Sequence, residues 1–232
     1  MREIVFDTET TGLNPAGGDR MVEIGCVEMV NRVETGRTFH AYFNPDRQMP
    51  TDAELVHGLT TIFLSDKPRF SERVEELLEF IADSPLIAHN AAFDFGFLNF
   101  ELQMCGRPQV CMSRIVDTLT LARTRHPGAK HSLDALCMRF GIDRSHRVKH
   151  GALLDAQLLA QVYVELTGGR QIGLGLVCVA ETIGSRSAAG EMRVRTPRAL
   201  RPHHPALEEL ERHRAFIAQL VNPLWARFAE AG

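Results

Sequence analysis

Short apolar blocks dominate the first part of the chain, and apolar residues three and four apart dominate the later part. Glu3 to Phe6 leads into Asp7 as a short apolar run that Thr10-Thr11-Gly12 breaks, which predicts a strand leaving a sheet. Met21 to Met29 and Thr35 to Phe43 predict two further strands, joined by a turn near Asn31 and Arg32 and closed by Asn44-Pro45. Phe70, Val74, Leu77, Leu78 and Ile81 fall on one face of a helix. Pro85 to Ala88 predicts a buried strand, followed by a helix from Ala91 to Met104 that closes at Gly106. A last short strand is predicted at Arg114 to Asp117, then helices at Leu119 to Arg125, Leu133 to Phe140 and Ala152 to Leu166. Strands first and helices later predict a mixed sheet flanked by helices.

The pattern changes after Gly168-Gly169. Gly, Ser, Ala and Arg dominate from Ser185 to Pro202, and Pro197, Pro202 and Pro205 exclude a long helix there. Residues 177–202 therefore read as a flexible linker, basic because Arg186, Arg193, Arg195, Arg198 and Arg201 outnumber Glu181 and Glu191. A final helical stretch is predicted from Ala206 to Phe228, within a tail of residues 203–232. At 232 residues, 44% hydrophobic and 24% charged, the chain suits one core with an appendage. Its net charge of −3 means that any nucleic-acid contact must come from a local site or from bound cations. Cys26, Cys105, Cys111, Cys137 and Cys178 are odd in number and widely spaced, and are expected to be reduced thiols. The longest apolar run, Ile172 to Ala180, is far below the ~20 residues that span a bilayer, so a cytoplasmic location without membrane partners is expected.

The candidate chemistry lies in acids at unusual positions. Residues two apart in a strand face one way and rise by ~6.6 Å, so Asp7 and Glu9 project toward one small volume. An isolated pair of this kind can also do no more than bond turn amides. Asp94 shares a helix face with Phe97 and Leu98, and Asp155 lines up with Leu158, Leu159 and Val162. Burial of an unpartnered acid is costly, although both aspartates sit in a first turn where the helix dipole stabilises them. Four converging carboxylates raise one another's pKa and make physical sense mainly as a site for divalent ions. Oxygen donors select hard ions, magnesium or manganese, over zinc. Two such ions ~3.5 to 4 Å apart suit phosphodiester chemistry. His150, five residues before Asp155 and next to Gly151, titrates in the right range for a general base, while the alternative is a solvated loop histidine.

Taken together, DTETTG at 7–12, HNAAFD at 89–94 and HGALLD at 150–155 resemble the three motifs of the DEDDh exonucleases. HSLDALC at 131–137 and VHGLT at 56–60 narrow the resemblance to the epsilon family, the proofreading subunits of bacterial DNA polymerase III. It covers about residues 1–170 and implies an α/β, ribonuclease H-like fold: a five-stranded mixed sheet flanked by helices, here with a C-terminal flexible extension. It further implies that Asp7 bridges two divalent cations, Mg2+ or Mn2+, that Glu9 and Asp155 complete the tighter site, and that Asp94 holds the second partly through water. His150 becomes the general base, and the implied activity removes nucleoside monophosphates from DNA 3′ ends, single-stranded or mismatched. Asp7, Glu9 and Asp155 are then also substrate contacts, joined by Thr10, Leu13, His57 and Asp52, the last standing where relatives often carry Glu. On residue type alone, a core leucine, a turn threonine and a helix-capping aspartate remain open for Leu13, Thr10 and Asp52.

Gln171, Leu174 and Leu176, in residues 171–176, resemble the hexamer with which polymerase subunits enter the sliding (beta) clamp, and a plain linker is the alternative. Ile217, Leu220, Val221, Leu224, Trp225 and Phe228 give the tail an apolar face. The resemblance implies that this face holds the polymerase catalytic (alpha) subunit, while a tail folded onto its own domain stays open. A small third core subunit is a further possible partner. Two other functions remain at this stage: a related DEDDh RNA exonuclease, and a catalytically silent adaptor linking clamp and polymerase.

Overall fold

β1 (Arg2–Thr10) is the strand from which the rest of the sheet is built. It pairs antiparallel with β2 (Met21–Val30), which pairs antiparallel with β3 (Val33–Tyr42). The β2–β3 connection is the two residues Asn31 and Arg32, both at positive φ (51° and 64°), as a tight hairpin matching strand twist requires. On its other side β1 pairs in parallel with β4 (Leu86–Ala88), and β4 with β5 (Ile115–Asp117). The order is β3-β2-β1-β4-β5, a mixed five-stranded sheet. This computed structural model describes residues 1–145, 147, 149–169 and 205–220. The chain divides into two units, Met1–Val177 and Cys178–Gly232, and the sheet belongs to the first.

Eight α-helices are seen among the described residues: α1 (Thr51–His57), α2 (Thr61–Leu64), α3 (Phe70–Ile81), α4 (Ala92–Met104), α5 (Thr118–Arg125), α6 (Leu133–Phe140), α7 (Ala152–Leu166) and α8 (Leu207–Ile217). Alternation along β1 sorts them into layers. Ile4 and Phe6 pack with Val74 and Leu77 of α3 and Phe95 and Phe97 of α4. Val5, on the other face, packs with Val27, Met29, Ile87 and the α7 residues Ala156, Leu159 and Ala160. α5 and α6 close over the outer side of α7 through Ala122, Leu136, Leu158 and Val162. Asp7 and Glu9 share the parity of Val5 and so face the α7 layer, whereas Thr8 faces α4.

One glycine sets how closely α7 approaches. Gly25 of β2 stands opposite Asp7 in the ladder. A Cβ there would lie 2.2 Å from the Leu153 nitrogen and 2.4 Å from the Ala152 carbonyl carbon. The first turn of α7 rests directly on the strand, and no side chain could be accommodated between them.

The predicted strands and the helices α3, α4, α6 and α7 appear within a residue or two of their expected bounds. The short helices α1 and α2 were not expected, because their segment has no apolar periodicity. α1 buries only His57 and leaves Leu55 and Val56 exposed. In the second unit, α8 ends at Ile217, short of the expected Phe228. The expected stretch beyond residue 220, including Asn222-Pro223, lies outside the described residues. α8 buries none of its residues, and Leu220 beyond it is exposed. Leu224, Trp225 and Phe228, the linker, and Gln171, Leu174 and Leu176 lie outside the described residues. Among the described cysteines, Cys26, Cys105, Cys111 and Cys137 are free thiols, as expected. No helix among the described residues is long and apolar enough to cross a membrane.

Candidate active site

The carboxyl ends of the parallel strands β1, β4 and β5 lie side by side, and the site candidates gather there. Beyond β4 the chain turns through Asn90, held at φ 62° while its amide donates to Asp117 Oδ1 at the end of β5 (3.0 Å). That turn starts α4 and presents Asp94. The Thr8 amide (3.0 Å) and hydroxyl (2.7 Å) both donate to Asp94 Oδ1, which ties the helix to the middle of the DTETTG segment. Asp155 comes from the first turn of α7, seated on Gly25, and is 2% exposed. A cleft of about 660 Å³ is lined by Asp7, Glu9, Asp94, His150 and Asp155 together. All five residues picked out in the sequence therefore meet.

The cluster is electrostatically tense. Burial, then the charges of Asp94, Glu9 and Asp155, raise the pKa of Asp7 well above the usual carboxylate range. Burial, then Glu23, raise Glu9 to about 8. Burial raises Asp94 to about 7, against the lowering effect of its bonds from Thr8. One ligand atom each from Glu9, His150 and Asp155 lies within 4.8 Å of the others. A concentrated set of buried oxygen donors, protonated more readily than in water, fits hard divalent cations and offers little to soft ones.

Two residues of this centre were not singled out in the sequence. Glu23 stands directly opposite Glu9 in the β1–β2 ladder, is 3% exposed, and meets His40 Nε2 at 2.7 Å. Its signal was an acid at an inward position of a buried strand. Arg147 grips Asp155 with two bonds, Nε to Oδ1 at 2.5 Å and Nη2 to Oδ2 at 2.7 Å, and also donates to Asp134 Oδ1 at 2.9 Å. Its Nη2 lies 2.8 Å from His150 Nδ1. A guanidinium only donates, so Nδ1 accepts and a neutral His150 carries its proton on Nε2. His150 itself is about half exposed, and its Nδ1 lies 3.2 Å from Asp155 Oδ2. Gly151 next to it is extended (φ −160°, ψ 123°) and caps the start of α7.

Thr10, Leu13, Asp52 and His57 line one adjoining pocket of about 440 Å³, which touches the cleft at Thr8, Glu9 and Phe93. Leu13 is 83% exposed at this pocket, which excludes the core-leucine alternative. The Thr10 hydroxyl donates to Gly12 O (2.6 Å), and Asp52 is an exposed residue in the first turn of α1 with Pro50 in the cap position. His57 is buried, and burial lowers its pKa. Its Nδ1 accepts from Leu59 N (3.0 Å), leaving Nε2 buried near the Thr10 backbone without a hydrogen bond of good geometry.

A mixed sheet in the order 3-2-1-4-5, with a carboxylate cluster and a histidine at the carboxyl edge of its parallel strands, defines the class: a ribonuclease H-like nuclease fold. The exonuclease family called RNase_T matches residues 4–163. The DNA polymerase III subunit epsilon of Rickettsia felis is 50% identical over 226 residues, 96% of this chain and 98% of the relative. That of Escherichia coli K12 is 44% identical over 222 residues, 92% of this chain and 91% of the relative. The solved structure of exonuclease X in complex with 5′ overhanging duplex DNA superposes with a TM-score of 0.55 at 25% identity, covering 71% of this chain and 90% of that one. The chain belongs to the exonuclease family, and within it to the DNA polymerase III epsilon subunits.

Proposed function

We propose that the chain is a 3′-to-5′ exodeoxyribonuclease that proofreads for the replicative DNA polymerase III, removing nucleoside monophosphates from single-stranded or mismatched ends. What carries this reading is the convergence of Asp7, Glu9, Asp94 and Asp155, from β1, α4 and α7, on one cleft beside His150. Asp7, Glu9, Asp94 and Asp155 would hold the cations, magnesium or manganese and two in number. Bound there, such ions offset the charge of the phosphodiester and acidify the attacking water.

The chain's own residues do the rest. The Leu13, Thr10, Asp52 and His57 pocket takes the terminal nucleoside, with Leu13 against the base and His57 Nε2 as a donor. His150 takes the proton of the attacking water at Nδ1, the nitrogen that carries no proton in the neutral ring. Arg147 occupies the lone pair of that nitrogen through Nη2, so the guanidinium has to withdraw before His150 acts. The negative Asp155, 3.2 Å from the same nitrogen, then stabilises the imidazolium. The bond from phosphorus to the upstream 3′ oxygen breaks, and that oxygen takes a proton from solvent to become the new 3′ hydroxyl. A mismatched terminus melts at lower cost than a paired one, so a pocket that accepts only an unpaired end selects errors without reading sequence.

The partners follow from the same reading. The tail around Ile217, Leu220, Leu224, Trp225 and Phe228 would hold the polymerase catalytic subunit, residues 171–176 the sliding clamp, and the site of action is a cytoplasmic replisome. Purified full-length protein with magnesium or manganese should shorten a 5′-labelled DNA strand from its 3′ end, and Asp7→Ala should abolish this. Faster cleavage of a matched RNA strand would turn the assignment to an RNA exonuclease. Absence of cleavage by both the unmodified and the Asp7→Ala chain would leave a silent adaptor.

A further inference from the structure

The cleft has a second wall that hydrolysis leaves unused. Past the carboxylates it is lined by His89, Arg123, His131, Ser132 and Leu133, from the loop after β4, from α5 and from the start of α6. Between Thr118 and Leu133 the sequence places Arg123, Arg125 and Lys130 and no acid. The two flanking acids are already engaged. Asp117 accepts from the amides of Asn90 and Leu119 (3.0 Å each) and from the Thr120 hydroxyl (2.7 Å). Asp134 is paired with Arg144 (2.8 Å) and Arg147 (2.9 Å). Arg123 is exposed and has no ion pair or side-chain hydrogen bond among the described residues. Its charge still reaches the cleft wall: burial lowers the pKa of His89 against the opposing effects of the Asp117 charge and a hydrogen bond to the His131 backbone, and the charge of Arg123 adds to the lowering.

A chain of net charge −3 with a carboxylate-lined centre has no general attraction for a polyanion. An uncompensated cation inside the cleft is therefore where attraction for a phosphodiester strand can act. The two pockets also fix a direction. The Leu13–His57 pocket meets the cleft at Thr8, Glu9 and Phe93 and includes no residue of α5 or α6. A terminal nucleoside seated there puts its phosphate at the carboxylates and sends the remaining strand onto the opposite wall. We infer that the α5–α6 wall, with Arg123 at its centre, is a subsite for the phosphodiesters upstream of the scissile one. The inference rests on the nuclease reading above.

The test uses the full chain and 5′-labelled oligothymidylates, from the dinucleotide to the decanucleotide, over a range of salt concentrations. Arg123→Ala should raise KM for the decanucleotide roughly fivefold, and make log KM less steep in log salt by about 0.7, the value for one contact to a single strand. The KM effect should shrink as the strand shortens, and Arg123→Lys should recover most of it. An unchanged salt slope, or the same KM increase for the dinucleotide as for the decanucleotide, would overturn the subsite. Hydrolysis of the p-nitrophenyl ester of thymidine 5′-monophosphate by the unmodified chain reads the nuclease centre alone. Fluorescence anisotropy of the bound decanucleotide reads the wall without turnover. Failure on the ester therefore sinks the nuclease reading, whereas equal decanucleotide affinity for the unmodified and Arg123→Ala chains sinks the subsite.

Discussion

Glu9 faces Glu23 across the β1–β2 ladder, and burial together with that neighbour lifts its carboxyl to about 8. A carboxyl raised above its ordinary 4.5 binds more protons folded than unfolded, so its contribution to stability is fully present below 4.5 and is lost as the pH rises through about 8. In EDTA, Tm should therefore fall across that window, and Glu9→Gln should flatten the fall. Added manganese should raise Tm more at pH 8 than at pH 6; an equal rise at both would refute competition between protons and cation at Glu9, and no rise at either would refute cation binding by this cluster. His150 belongs to a different step. His150→Ala should lower turnover by about 10²- to 10³-fold while manganese affinity, read by calorimetry, stays largely intact, because a base is lost and the carboxylates remain. Asp7, Glu9, Asp94, His150 and Asp155 were legible because each sits in a short segment that juxtaposes polar and apolar residues in an unusual way. Glu23 and Arg147 were not, since the register that faces Glu23 with Glu9 and the loop that brings Arg147 onto Asp155 are matters of pairing across the fold.

At the scale of elements, what periodicity encodes was readable and what close approach encodes was not. α3 has Phe70, Val74, Leu77 and Ile81 buried on one face, and its bounds could be read from that spacing. α1 buries one residue and left no such trace. The seating of α7 on β2 depends on a missing atom, the Cβ of Gly25, and an apolar strand sequence gives no hint of which glycine matters. Gly25→Ala should cost about 1–3 kcal/mol, because the opposing atoms are backbone and cannot rotate away. It should also displace Asp155 from Asp7, so activity and manganese affinity should fall further than a matched loss of Tm elsewhere in the core. Wild-type affinity in this variant would show that α7 is not held by the contact.

At the scale of the whole molecule, the proposed reading gives the two units separable tasks. Deleting residues 203–232 should leave cleavage of single strands unchanged and abolish co-purification with the polymerase, and persistence of the complex would remove the tail from that role. The sequence located the tail by composition and by its apolar residues. α8 ends at Ile217, and the part of the expected stretch beyond residue 220 lies outside the described residues. The acids proposed to hold the cations, by contrast, come from both ends of the first unit: Asp7 from its first strand and Asp155 from α7, its last described helix. A ribosome releases the amino-terminal half long before α7 has been made, so the growing chain holds Asp7 and Glu9 without the acid and the base that complete them. On the proposed reading nuclease activity arrives late in synthesis, and a chain cut short before α7 should leave the nucleic acid around it uncut.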